Sequence, residues 1–167
     1  DFVPSRGLGD VYKRQVTAPR STGSLLKPFL YAAMLESGEL LPDEVISDVP
    51  MRIGGFAPEN FDRAYQGALP ASAALARSRN VPAAWMLKEH GVERFYDRLS
   101  RLGMSTLHRP AEDYGLSLIL GGAEGTLWDL VGMYRTLGYS AVAEPDDAMP
   151  AVHWLAADDA LSAARME

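Results

Sequence analysis

Apolar positions along this chain recur in helical rather than alternating order. Residues 24–36 read as a helix with Gly38 as its stop, and residues 29–35 are apolar on every face. A helix without a wet face belongs inside a domain, so this one is expected near the centre of the fold. Pro70 suits a first-turn position and predicts a short helix over 71–77, followed by another over 81–90 that stops at Gly91. Val92, Phe95, Leu99 and Leu102 then fall at helical spacing, Glu93, Arg94, Asp97, Arg98 and Arg101 take the wet face, and Gly103 ends the run. Thr126 with Asp129 three residues on resembles a capping box and predicts a helix through Leu137, closed by Gly138. No segment alternates convincingly enough to predict a strand. Between the first two helical stretches, residues 41–69 are irregular and punctuated by prolines and Gly54-Gly55, and a loop of that length is often functional. The acidic, alanine-rich tail after Tyr139 joins none of these patterns.

Composition narrows the function classes. With 167 residues, 47% of them hydrophobic and 23% charged, the chain fits one domain, or a large part of one, with a packed core. A net charge of -6 and the absence of any basic block argue against a nucleic-acid partner. There is no cysteine, which excludes disulfides, thiolate metal sites and a cysteine nucleophile, and suits an oxidising compartment. The longest apolar run, 29–35, is too short to cross a bilayer, so any membrane anchor of the parent protein is expected outside this segment.

Two short constellations carry candidate chemistry. In Ser24-Leu25-Leu26-Lys27, a hydroxyl and an amine three apart share one helix face. A serine becomes a useful nucleophile when a base takes its proton, and a lysine serves as base when an apolar surround lowers its pKa. Lys27 is the only charge between Ser24 and Leu35, so that surround is present. The same residues fit an N-capping serine followed by a lysine that reaches back to water. In Ser78-Arg79-Asn80, at the junction of two helices, a hydroxyl and an amide two apart can face one cleft, or simply end one helix and cap the next. His90, His108 and His153 lack metal-ligand spacing, the glycines of 121–125 do not form a dinucleotide fingerprint, and Glu59 and Asp62 read as solvated loop carboxylates.

Longer blocks decide between these readings. Arg20-Ser-Thr-Gly-Ser-Leu-Leu-Lys-Pro-Phe-Leu-Tyr-Ala-Ala resembles the nucleophile segment of the class A penicillin-binding proteins. Asp48-Val-Pro, Ala57-Pro-Glu-Asn-Phe-Asp and Tyr65-Gln-Gly are similar to the loop between that family's first two motifs, and point to its 1C type. Ala74-Leu-Ala-Arg-Ser-Arg-Asn-Val-Pro-Ala is similar to the segment bearing its Ser-x-Asn motif. Gly115-Leu-Ser-Leu-Ile-Leu-Gly-Gly-Ala-Glu-Gly-Thr-Leu resembles the glycine-rich loop and helix that follow. The blocks occur in the family's order and cover most of residues 16–138.

The resemblance implies a peptidoglycan D,D-transpeptidase. Ser24 would be the acyl-accepting nucleophile and Lys27 its base; Ser78 would relay a proton to the leaving amine and Asn80 would hold the substrate backbone. The implied partners are peptidoglycan stem peptides and β-lactam antibiotics, with no metal or cofactor, and the implied location is the periplasmic face of the bacterial inner membrane. The implied fold is α+β, present here as the mostly helical portion of a transpeptidase domain over 16–167 with the flanking sheet strands largely missing. The family's third motif, Lys-Thr-Gly, does not occur, and no lysine follows Lys88. Without the strands that bear it, the apolar helix of residues 25–35 is expected to expose an apolar patch, and the fragment to be inactive or weak alone. The family's glycosyltransferase domain would lie upstream. Residues 1–15 are expected to contribute nothing to the fold, because Ser5 to Gln15 resembles translated adapter sequence. A serine β-lactamase or D,D-carboxypeptidase would share the nucleophile logic, but Tyr65-Gln-Gly counts against it; a non-catalytic helical binding module would keep the fold and lose the chemistry.

Overall fold

A computed structural model describes the backbone of residues 14–142 and the side chains as far as residue 137. The expectations for residues 1–13 and for the tail beyond 142 lie outside the described residues; the backbone at 14–17 is helical. The architecture is α+β, with helices around a single apolar core and two short antiparallel ladders at its margins.

The central helix, α1 (Lys27–Glu36), starts three residues later than its pattern predicts, because residues 23–26 form a turn that presents Ser24 ahead of the helix. Pro28 sits in the first turn, where its missing N–H costs no hydrogen bond. At the other end Gly38 adopts φ +71, and the Glu39 and Gly38 amides return to the carbonyls of Met34 and Leu35, closing the helix with a Schellman motif. Phe29, Leu30, Ala32, Ala33 and Met34 are each about 1% exposed or less, so the prediction of a helix buried on every face holds. The expected bare patch is therefore corrected: the helix is covered by its helical neighbours, and of its leading residues only Leu25, in the preceding turn, is substantially exposed, at 48%.

Three helices pack against it or against one another: α2 (Ala71–Ala76), α3 (Asn80–His90) and α4 (Val92–Arg101). In α4 the predicted amphipathy is observed, with Phe95 and Leu99 fully buried and the charged face outward. A short helix α5 (Ala111–Tyr114) leads into a 3-10 turn (Gly115–Leu120) that packs across α3. The last helix, α6 (Leu127–Val142), opens as predicted, with the Asp129 amide donating to Thr126 Oγ1 at 3.0 Å. The capping box is only half made, since the Asp129 carboxylate turns away to Ser105. Gly138 does not close α6, which continues to Val142.

The strands correct the sequence reading. β2 (Val45–Asp48) pairs antiparallel with β3 (Gly67–Pro70), joining the two ends of the supposedly irregular stretch. β2 alternates in burial, but its chemistry is broken at both ends: Val45 faces water while Asp48 is fully buried. β1 (Arg20–Ser21) and β4 (Glu124–Gly125) form the second ladder, which ties the segment before Ser24 to the glycine loop a hundred residues on.

Candidate active site

The turn bearing Ser24 is held from three sides. On one, Thr22 donates from both its amide and its hydroxyl to the Ala123 carbonyl. On the second, Gly121 packs so closely that a Cβ added there would stand 2.9 Å from the Gly23 backbone and 2.7 Å from Ser21 Oγ. Ser21 Oγ itself donates to the Gly121 carbonyl at 2.8 Å. On the third, Tyr134 of α6 donates its hydroxyl to the Leu25 carbonyl at 2.7 Å, with its ring edge-on to Phe29. The Ser24 side chain is left exposed on a braced turn.

Lys27 follows at the first position of α1. Its side chain is 2% exposed, and its Nζ donates to Ser78 O at 2.7 Å, Asn80 Oδ1 at 2.7 Å and Ser78 Oγ at 3.2 Å. Three donors meeting three acceptors describe the ammonium form. Burial pulls the amine down to about 8, far below an ordinary lysine, so about a tenth is neutral at pH 7. The structure thus brings Lys27, Ser78 and Asn80 into one hydrogen-bonded cluster. Ser24 stands one turn away, linked through its carbonyl to the Lys27 amide at 3.2 Å, and its hydroxyl makes no bond to Nζ.

The Ser78-Arg79-Asn80 corner has its own framework, which the sequence reading missed. Ser78 holds φ +51, a left-handed conformation uncommon for a residue with a Cβ. Next to it, Arg79 is buried and donates Nε to Asp48 at 2.9 Å, Nη1 to Asp62 at 2.8 Å and Nη2 to the Ala64 carbonyl at 2.6 Å. Asn60 Oδ1 accepts from the Asn80 and Val81 amides, capping α3, while its Nδ2 donates to Asp48 at 2.6 Å. Asn80 in turn donates Nδ2 to the Glu59 carbonyl. Asp62 is not a free carboxylate: the Ala64 amide and Arg79 hold it below the usual range. The sequence signals for this framework were the length of the 41–69 stretch and the family-like blocks at 48–50, 57–62 and 65–67, now seen to wrap back onto the corner.

The remaining candidates fall elsewhere. His90, at the end of α3, is buried and bonds Glu39 at 2.6 Å, a structural link at the opposite end of the helix from Asn80. His108 is exposed, and His153 lies outside the described residues. Among the described residues every buried side-chain nitrogen or oxygen has a partner.

Comparison with known proteins settles the family. The family model for the penicillin-binding protein transpeptidase domain matches residues 1–141. The chain belongs to the penicillin-binding protein transpeptidase family. Penicillin-binding protein 1C of Escherichia coli is 37% identical over 139 residues, covering 80% of this chain and 18% of that protein. Penicillin-binding protein 1F of Bacillus subtilis is 35% identical over 111 residues, covering 66% of the chain and 15% of its own length. Among solved structures, penicillin-binding protein 1A of Haemophilus influenzae superposes with a TM-score of 0.62 at 27% identity, over 74% of this chain and 19% of that one. PonA1 of Mycobacterium tuberculosis, solved in complex with penicillin V, shares the fold with a TM-score of 0.67 at 20% identity, over 75% and 36%. The chain thus spans under a fifth of the length of these two curated relatives. Among the described residues no helix is long and apolar enough to cross a membrane.

Proposed function

We propose that this chain carries the nucleophile half of a serine D,D-transpeptidase that cross-links peptidoglycan stem peptides. The observation that carries the reading is the Lys27 amine, desolvated and bonded to both Ser78 and Asn80, one turn from an exposed serine on a braced loop. An amine with a pKa near 8 is neutral often enough at physiological pH to act as a general base.

In the proposed cycle Lys27 first gives one proton to solvent and releases one of its three acceptors, and the lone pair so freed takes the Ser24 proton. Ser24 Oγ attacks the carbonyl of a D-Ala-D-Ala bond; the C–N bond breaks, and the leaving D-alanine receives a proton through the Ser78 hydroxyl. Asn80 Nδ2 or Oδ1 aligns the donor peptide. The amine of a neighbouring stem then displaces Ser24 from the ester, completing the cross-link and returning the proton. A β-lactam would acylate Ser24 by the same attack and remain attached. The proposed reaction would run on the periplasmic side of the bacterial inner membrane, where stem peptides would be met.

The 167 residues contain no Lys-Thr-Gly, so a donor to the developing oxyanion is lacking from this stretch of sequence. Loss of one such donor costs roughly a hundred- to a thousandfold in rate. The chain alone should therefore label slowly with a fluorescent penicillin, and a longer chain running through a Lys-Thr-Gly strand should label fast. Peptide mapping should find the adduct on Ser24, and Ser24→Ala should abolish it. An adduct on another serine, or equal labelling of the short and long chains, would overturn the reading.

A further inference from the structure

We propose that Asp48, together with Asn60, is a positioning residue of this site: it fixes Ser78 and Asn80 around the Lys27 amine without touching Lys27. The proposal rests on the functional reading above for its significance, but its structural content stands on separate observations.

Asp48 occupies an inward-facing position of β2, where a strand ordinarily places an apolar side chain. It is fully buried, and removing a carboxylate from water costs several kcal/mol unless its oxygens are well partnered. Two of its three partners, Asn60 and Arg79, serve one corner. Oδ1 accepts from Asn60 Nδ2 at 2.6 Å; Oδ2 accepts from the Gln66 amide at 3.1 Å and from Arg79 Nε at 2.9 Å. Asn60 passes the constraint to the Asn80 and Val81 amides, at 2.9 and 3.2 Å. Arg79 passes it to the two residues flanking it in the chain, Ser78 and Asn80.

Ser78 needs that constraint. A left-handed φ on a non-glycine residue costs about 1 kcal/mol or more, so a loose corner would relax to an ordinary conformation. Relaxation would swing the Ser78 carbonyl and hydroxyl away from Lys27 Nζ, which holds both. A merely structural Asp48 would stabilise the β2–β3 ladder and leave Lys27 as it is. A positioning Asp48 controls how tightly the lysine is enclosed.

The two roles separate in the accessibility of the Lys27 amine. The folded chain is acetylated briefly with acetic anhydride, and modification of Lys27 is read by peptide mass spectrometry against Lys88, whose side chain is 52% exposed. In Asp48→Asn the Lys27-to-Lys88 ratio should rise about tenfold, the equivalent of one charge-assisted hydrogen bond of about 1.4 kcal/mol. Leu99→Ala, fully buried in α4 and away from the corner, controls for destabilisation and should leave the ratio near its starting value. If Asp48→Asn fails to fold, Asp62→Asn, which removes the half-exposed partner of Arg79, is read in the same way with a rise of about threefold. An unchanged ratio, or a rise no larger than that of Leu99→Ala, overturns the proposal. Acetylation requires no penicillin chemistry, so failure of Ser24 to label would sink the proposed function and leave this result standing.

Discussion

The helical block of α1, α3 and α4 and the corner built by Asp48, Asn60 and Arg79 are held together by different means. In the block, the buried side chains recur three and four positions apart and pack on one another, and glycine follows each helix. At the corner, three buried polar side chains, Asp48, Asn60 and Arg79, separated by up to thirty-one positions, satisfy one another where water is excluded. The block supplies stability and could be repacked with other apolar residues of similar volume. The corner supplies geometry, and no single partner can be removed without leaving another unsatisfied.

The widest separation between the two should come from Phe95→Ala. Phe95 is fully buried in α4, and truncating a core phenylalanine costs about 3–5 kcal/mol. Urea unfolding should show that loss, while the enclosure of Lys27 in the folded fraction stays intact. A Phe95→Ala chain that is as stable as the parent would mean that the helical block is not where the stability resides.

At the junction of the two regions stands Lys27, and pH reports on it. The amine's folded pKa, about 8, lies below the 10.5 of a freely solvated lysine, so between those values the unfolded chain binds more protons and stability rises with pH. The gain should approach about 2 kcal/mol between pH 8 and pH 10. Above that, Tyr31 and Tyr134, both pushed up by burial, oppose it as the unfolded chain loses its phenolic protons first. Lys27→Met should flatten the rise, as followed by denaturant midpoints at successive pH values. A rise of equal size in Lys27→Met would assign it to other groups.

The same contrast explains what was legible beforehand. Residues 29–35, the α4 face of Phe95 and Leu99, and the glycine stops at 38, 91 and 103 follow local rules, and the fold confirms them. Gly138 obeys the same rule on paper, yet α6 runs through it, since one glycine in a helix costs only about 1 kcal/mol. β2 went unread because its inward residues are Ile46 and Asp48 while Val45 faces out, so the apolar alternation is broken by the charge that the corner requires. Ser24, Lys27, Ser78 and Asn80 were visible through motif resemblance. The residues that place them stood in the same family-like blocks, but their positioning role was not legible, because a hydrogen bond between Asn60 and Asp48, or a contact between Gly121 and Gly23, leaves no periodic trace.

Two glycines sharpen that distinction. Gly103 and Gly121 have nearly the same φ, +99 and +96, so alanine is strained to a similar degree at both. At Gly103 the new Cβ meets nothing within 4 Å, whereas at Gly121 it would press on the turn that bears Ser24. Gly103→Ala should cost about 1 kcal/mol, and Gly121→Ala about 1–3 kcal/mol. In a β-lactam-reactive longer chain, only Gly121→Ala should slow acylation at Ser24. Equal slowing by both would show that the close approach to Gly23 has no bearing on the nucleophile.

The smallest expected effect tests whether a polar link matters when it is not buried. Glu39, just past α1, accepts from His90 at 2.6 Å and from Arg94 at 2.6 Å, joining residues further apart in sequence than those of the corner. Partial burial alone would raise its pKa, but the hydrogen bonds from His90 and Arg94 outweigh it and hold the carboxyl at about 2. Its folded pKa is thus depressed, so its contribution is fully present above about pH 4.5 and is lost as pH falls toward 2. Solvent reaches Glu39 and Arg94, with side chains 31% and 57% exposed, so screening should reduce the contribution to about 1 kcal/mol or less. Glu39→Gln should therefore lower stability slightly at pH 7 and make the acid limb of the pH profile shallower, as read by thermal midpoints from pH 5 to pH 2. A loss at pH 7 as large as that of Phe95→Ala would place Glu39 with the buried corner, and exposure would no longer explain which polar links this chain depends on.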